Sequence, residues 1–217
     1  MDPVPLHLTL QPYPFPEGMA IPRLMPFQEF PWNGDYHLAA EVLRLKEAHG
    51  LSMAIETGTC LGSTTLWLAE TFSSVVSFEI NPDYADIAYA RLVILPELRN
   101  RHNFHVLKGN SVDALPHHLN DQPTFIFLDA HWGDHCPLLD ELDAIAAAKV
   151  KPVIAIHDMM VPGHPELGFD KMPDGTPFTF ELVRPYMDRI YGVGKYSHHF
   201  NSEAAGAMRG VLYIEPQ

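Results

Sequence analysis

Five short groups of polar residues each follow an apolar run of strand length. They are Glu56 with Gly58 and Gly62, Glu79, Asn110-Ser111, Asp129 to Trp132, and His157-Asp158. Their types define what they could do. Carboxylates accept hydrogen bonds from hydroxyls or hold a cation, and an imidazole near neutral pH can take a proton from a substrate oxygen. Glycine lacks a Cβ, so Gly58 and Gly62 allow positive φ and a close approach of ligand to backbone. Glu79 stands twenty-one positions beyond Gly58, the separation at which a strand-end acid accepts the ribose hydroxyls of a nucleotide. A single acid after a strand is an ordinary cap, but five polar groups in register call for a common rim.

Positioning them requires strands alternating with helices. Met53 to Ile55 reads as the first strand and the run from Ser63 to Phe72 as the helix after the glycine turn. Further strands are expected over Val75 to Ile80, Phe104 to Leu107, Thr124 to Leu128 and Val153 to Ile156. Helices are expected over Asp35 to His49, Asp83 to Leu95, Val112 to Leu119, Pro137 to Lys149 and Phe178 to Ile190. Two last strands, Tyr191 to His199 and Gly210 to Ile214, read as an edge hairpin. Five β/α alternations predict an α/β fold: a Rossmann-like, doubly wound, mostly parallel seven-stranded sheet with a C-terminal antiparallel hairpin. Ligands of such sheets gather at the carboxyl ends of the strands. The spacing E-x-G-x-x-x-G is not the G-x-G-x-x-G of a dinucleotide site and points to S-adenosylmethionine ahead of NAD.

Composition narrows the partners. The 217 residues suit a domain with an extension, and 47% hydrophobic against 19% charged residues is globular. A formal charge of −13 without a Lys/Arg cluster opposes nucleic acid and anionic membrane alike. No apolar run reaches membrane-spanning length, and the first residues lack the pattern of a signal peptide. Cys60 and Cys136 are not spaced as a metal knuckle or redox pair, so free thiols in a reducing cytoplasm are expected. Residues 1–33 carry eight prolines interleaved with apolar side chains and read as an extended arm on the domain of 34–217 or on a second copy, a route to a homo-oligomer.

The segments ETGTCLGSTTLWLA, FEINPDYADIA, KGNSVDALP, FLDAHW and AIHDMMVPG, in that order, resemble class I S-adenosylmethionine-dependent methyltransferases. Within that family they are similar to catechol O-methyltransferase and related small-molecule O-methyltransferases. The resemblance implies Glu56, Gly58 and Gly62 at the methionine end of the cofactor, with Thr64 near its carboxylate. It implies Glu79 on the ribose, Ile80 against the adenine, Ser111 at the adenine edge, and His131-Trp132 flanking the ring. Asp129 and Asp158 would then be ligands of a divalent cation such as Mg²⁺, which orients an acceptor oxygen and lowers its pKa.

The chain departs from the catechol pattern at three places. Gly133 stands where those enzymes have a lysine base, Ala130 is an extra residue, and Met159 replaces an asparagine ligand. His131 or His157 is therefore the candidate base, and a histidine-rich set would favour Zn²⁺, Mn²⁺ or Fe²⁺ over Mg²⁺. The expected activity is methyl transfer to a small hydroxylated molecule, with the Val161–Pro177 loop, Phe169 and Phe178 shaping its pocket. Sugar O-methyl transfer of the macrocin type is the neighbouring alternative. An NAD-dependent oxidoreductase and a non-catalytic cofactor-binding module are the alternatives of other classes.

Overall fold

In a computed structural model, residues 29–94, 103–131 and 135–217 are described. Seven strands form one sheet: β1 Met53–Thr57, β2 Ser74–Glu79, β3 Phe104–Lys108, β4 Thr124–Leu128, β5 Val153–His157, β6 Tyr196–Phe200 and β7 Val211–Pro216. Their order across the sheet is β3-β2-β1-β4-β5-β7-β6. The first five pair in parallel, and β7 joins β5 and β6 antiparallel. β1, β4 and β5 are buried along their whole length, which is why Met53–Ile55, Phe125–Leu128 and Val153–Ile156 read as apolar runs. The predicted doubly wound sheet and C-terminal hairpin are both present.

Helices cover both faces. α1 Tyr36–His49, α2 Ser63–Thr71 and α3 Pro82–Ile94 pack on one side; the short α4 Ser111–Ala114, α5 Leu138–Ala148 and α6 Phe180–Tyr191 lie on the other. Local sequence sets their limits. The Asp35 carboxylate caps α1 by accepting the N–H groups of His37 (2.9 Å) and Leu38 (3.2 Å), and Gly50 ends it in the left-handed conformation. One core holds Trp32, Trp67, Phe72, Phe125 and Tyr213; the other holds Ile55, Phe78, Ile126, Leu142, Ile156 and Met187. Burying each such side chain fully contributes about 1.5–3 kcal/mol, so the two faces together outweigh any single polar contact.

Two boundaries differ from expectation. Tyr191 is the last residue of α6 rather than the start of a strand, because its ring is buried and its hydroxyl donates to the carbonyl of Pro152 at 2.7 Å. The helix expected over Val112–Leu119 is one turn of α4 followed by a 3-10 turn, Leu115–His117, where Pro116 interrupts the hydrogen-bond ladder.

Of the proline-rich arm, 1–28 lie outside the described residues, and so does the expectation that it reaches a second copy. Glu29 to Gly34 cross the start of α2: Ser63 donates its hydroxyl to the Glu29 carbonyl (3.0 Å), and the Trp32 N–H donates to Thr64 Oγ1 (2.9 Å). Trp32 and Asn33 hold φ of 56° and 52°, paid back by edge-on packing of the Trp32 ring on Trp67 and Phe127. Among the described residues, no helix is long and apolar enough to cross a membrane.

Candidate functional site

The rim above the sheet is built strand by strand. After β1 the N–H groups of Gly58 and Thr59 both donate to the Phe78 carbonyl, at 2.9 and 3.1 Å, which bends the chain into the glycine turn. Gly58 has φ +86°, and a Cβ there would lie 2.5 Å from the Asp129 carbonyl oxygen. Gly62 has φ +78°, and a Cβ would meet the Ala88 methyl at 3.0 Å. Both glycines are thus required by the chain's own packing, and both leave the mouth of the turn bare.

Glu79, at the end of β2, faces this turn. It accepts the N–H of Cys60 at 2.7 Å on one oxygen and that of Asn81 at 2.9 Å on the other. Each oxygen keeps a lone pair, so the carboxylate is held in place and can still accept two hydroxyls. Burial raises its pKa against the backbone N–H groups of Asn81, Cys60 and Ile80. Ile80 beside it is 53% exposed, an open apolar surface suited to a flat ring.

Three residues expected at the cofactor hold bonds within the chain. Glu56 does not open onto the rim: it is 1% exposed, buried beneath the turn against the hydroxyls of Thr65 and Ser77. Burial outweighs those two hydrogen bonds and pushes its pKa to about 8. Thr64 gives its oxygen to the Trp32 N–H. Ser111 is buried and donates its hydroxyl to Glu141, a fully buried acid of α5 whose pKa burial raises to about 6. Trp132 lies outside the described residues.

The ends of β4 and β5 bring Asp129, His131, His157 and Asp158 together. His131 Nε2 lies 2.9 Å from Asp158 Oδ2; His157 Nδ1 lies 3.1 Å from Asp129 Oδ1 and 3.3 Å from Asp158 Oδ2. Burial alone would depress both imidazolium ions. For His131 the hydrogen bond to Asp158 and the charges of Asp129 and Asp158 win, and its pKa is raised. For His157 the charges of Asp158 and Asp129 win by more, and its pKa stands well above 6.5. Asp158 is the reciprocal case, pulled well below the carboxylate range by the same imidazoles despite its burial. Its backbone has φ 60°, a conformation a non-glycine residue holds at a cost of order 1–3 kcal/mol and retains where side-chain placement needs it. Phe178, fully buried, packs edge-on against His131 at 4.9 Å.

Two residues that sequence reasoning missed complete the cluster. Arg209, between β6 and β7, hydrogen-bonds through Nε to Asp158 and through Nη2 to Asp170. The His135 side chain is exposed, and His164 pairs with Glu166 at 2.8 Å. His198 stacks on Phe180, and His199 pairs with Glu41, so neither reaches the rim.

A hard divalent ion needs several oxygen donors free to coordinate it. Ligand atoms of Asp129, His157 and Asp158 lie within 4.8 Å of one another, as do those of His131, Asp158 and Asp170. Both sets depend on Asp158, however, and both of its oxygens are already engaged, one by Arg209 and one by the imidazoles. The third expected position is Met159, whose side chain is buried in the apolar core. Mg²⁺ seeks oxygen ligands in octahedral array, and this arrangement does not provide them.

Comparison with solved structures gives the same fold. The chain matches an O-methyltransferase of Bacillus cereus in complex with SAH (TM-score 0.57, 20% identity, 83% of this chain and 81% of that one). It matches the O-methyltransferase TomG of Streptomyces achromogenes, in complex with SAM (TM-score 0.57, 17% identity, 83% and 79%). It also matches the SAH-bound Podospora anserina methyltransferase PaMTH1 (TM-score 0.54, 14% identity, 83% and 78%). No protein-family model matches the chain, and no curated protein matches its sequence. At these identities the likeness is one of fold alone, the Rossmann-like sheet that these methyltransferases share.

Proposed function

We propose that this chain is an S-adenosylmethionine-dependent O-methyltransferase acting on a small hydroxylated molecule, in a single cofactor-binding domain of 34–217. One observation carries the reading: two imidazole–carboxylate pairs stand at the ends of β4 and β5, beside a glycine turn whose facing acid, Glu79, keeps free acceptor positions. The bound fold relatives hold SAM or SAH. Glu79 would accept the ribose hydroxyls, Ile80 would back the adenine, and the N-terminal turn of α2 would face the methionine carboxylate. His157 or His131 would take the acceptor's hydroxyl proton as the oxygen attacks the methyl carbon. The O–C bond forms as the S–C bond breaks, the sulfonium leaves as a neutral thioether, and the proton stays on the imidazole. A cytoplasmic setting is part of the same reading, since Cys60 and Cys136 are free thiols. The expected divalent cation enters no step, since the donor set does not suit Mg²⁺ and Arg209 already holds one oxygen of Asp158.

Isothermal titration with S-adenosylmethionine is the first test, followed by SAH formation with phenols, catechols and glycosides. Absence of binding at sub-millimolar cofactor would refute the proposal; binding without turnover on any acceptor would leave only a cofactor-binding module.

Two further outcomes follow. Glu79→Ala should weaken S-adenosylmethionine binding by about tenfold to a hundredfold, the loss of a charge-assisted pair of hydrogen bonds. An unchanged dissociation constant would remove Glu79 from the ribose. His157→Ala and His131→Ala are compared for kcat, and the variant lacking the base should lose about 10²–10⁴-fold with cofactor affinity retained. Because a base must be deprotonated and both imidazoles hold their protons more tightly than free histidine, kcat should rise with pH through a limb above pH 6.5. A profile flat across that range would rule out either histidine as base.

A further inference from the structure

Where a divalent cation would have to enter, the chain already supplies a cation of its own. We infer that Arg209 is the resident cation of this site, its guanidinium filling the ground between Asp158 and Asp170 in the His131–Asp158–Asp170 set and holding one oxygen of Asp158, on which the Asp129–His157–Asp158 set also depends, so that acceptor binding and methyl transfer proceed without a metal. The inference builds on the methyltransferase reading for its second half only; the occupation of the acids by Arg209 stands on the geometry.

The backbone fixes Arg209 there before its side chain makes any contact. The Gly168 N–H donates to the Met208 carbonyl (2.8 Å), and the Gly210 N–H donates back to the Gly168 carbonyl (2.9 Å). The Met159 N–H donates to the Gly210 carbonyl, and the Asp170 N–H to the Asp158 carbonyl, each at 2.9 Å. The chain on either side of Arg209 is therefore fastened to the two segments that carry its acids. Two glycines make the fit possible: a Cβ at Gly168 would come 2.7 Å from Arg209 Nη1, and one at Gly210 would come 2.0 Å from the Met159 carbonyl. The guanidinium thus lies over bare backbone at Gly168, with Nε on Asp158 and Nη2 on Asp170.

Charge points the same way. Three carboxylates, Asp129, Asp158 and Asp170, face one guanidinium and the two imidazoles of His131 and His157. Guanidinium cannot release its proton at any pH a protein survives, so a divalent ion would have to expel Arg209 bodily rather than titrate it. Removing the guanidinium would leave Asp158 and Asp170 with only the imidazoles of His131 and His157 facing them, two carboxylates and a histidine at metal-ligand spacing.

The test titrates the full chain with Mg²⁺, Mn²⁺ and Zn²⁺ separately, without cofactor, following heat and Tm. Wild type is expected to show no saturable binding below millimolar concentration, and Arg209→Ala to bind at least one of the three ions at least tenfold more tightly, with a cation-dependent rise in Tm. Arg209→Gln, which drops the charge but keeps length and an amide donor, repeats the measurement should the alanine variant not fold. Sub-millimolar, one-to-one binding by wild type that Asp158→Asn abolishes would overturn the inference. So would a failure of both Arg209 variants to gain affinity. Wild-type turnover should persist in EDTA, and its loss there, restored by one of these ions, would overturn the metal-free half. Failure to bind S-adenosylmethionine sinks the methyltransferase reading alone, since the cation titrations do not involve it.

Discussion

Gly58→Ala is expected to destabilise the protein by about 3 kcal/mol or more and to abolish measurable S-adenosylmethionine binding. The added methyl would sit 2.5 Å from the carbonyl oxygen of Asp129 and 2.9 Å from its carbonyl carbon. Neither strand can yield cheaply. The Asp129 N–H is bonded to the Thr57 carbonyl at 3.2 Å, and the Gly58 N–H to the Phe78 carbonyl at 2.9 Å. Relief requires β1 and β4 to part at the rim, which displaces the turn and Asp129 together. The φ of +86° adds a backbone penalty for any residue with a Cβ. Gly62→Ala carries the same kind of φ penalty but meets the Ala88 Cβ at 3.0 Å and its Cα at 3.3 Å, looser contacts than those at Gly58, and should be the milder change. Urea unfolding and calorimetric titration measure both effects; a Gly58→Ala protein with wild-type midpoint and affinity would show that the rim tolerates separation.

The second large effect concerns Glu56, which takes no part in the proposed chemistry. Its folded pKa is about 8 against 4.5 for the free side chain, because burial favours the neutral acid beyond what Thr65 and Ser77 offer the carboxylate. Between those two values the folded protein holds a proton that the unfolded chain has released. The folded state therefore binds more protons, and stability falls as pH rises. The contribution is complete below the unfolded pKa, declines by at most about 1.4 kcal/mol per pH unit, and is exhausted above the folded pKa, a total of a few kcal/mol. Glu56→Gln keeps groups for both hydroxyls and has nothing to titrate. Urea melts at pH 5, 7 and 9 should show wild type losing a few kcal/mol more than the variant across that interval, leaving the variant the more stable at pH 9. Parallel curves would mean that Glu56 is ionised in the fold.

The parallel half of the molecule was legible in the sequence because strands buried on both faces are predominantly apolar, as Phe125–Leu128 and Val153–Ile156 are. Strand ends then placed Glu79, Asp129, His131, His157 and Asp158 without further information. What spacing could not reveal was how side chains spend their hydrogen bonds within the fold. Glu56, Thr64 and Ser111 have suitable types at suitable positions, yet each is bonded to another part of the chain. Arg209 and Asp170 were invisible for a different reason. They meet through backbone bonds between a long loop and the connection of an antiparallel hairpin, and no local periodicity records that pairing. The clue available was Gly168 and Gly210, where the absence of a Cβ marks two backbones in close approach. Tyr191 was misread because its aromatic character suits a strand as well as the buried end of a helix.

The fastening of the β6–β7 connection to the loop after β5 also sets an order of events during synthesis. Every strand end that would face the cofactor has left the ribosome by His157, whereas Arg209 emerges some fifty residues later. A growing chain therefore passes through a stage in which Asp158 and Asp170 have no guanidinium between them and the loop bearing them has no hairpin to lean on. Arrival of Gly168's partners, Met208 and Gly210, closes both deficits in one step. The rim and the guanidinium that balances its acids are thus far apart along the chain, and the charge balance arrives only after the strand ends are made.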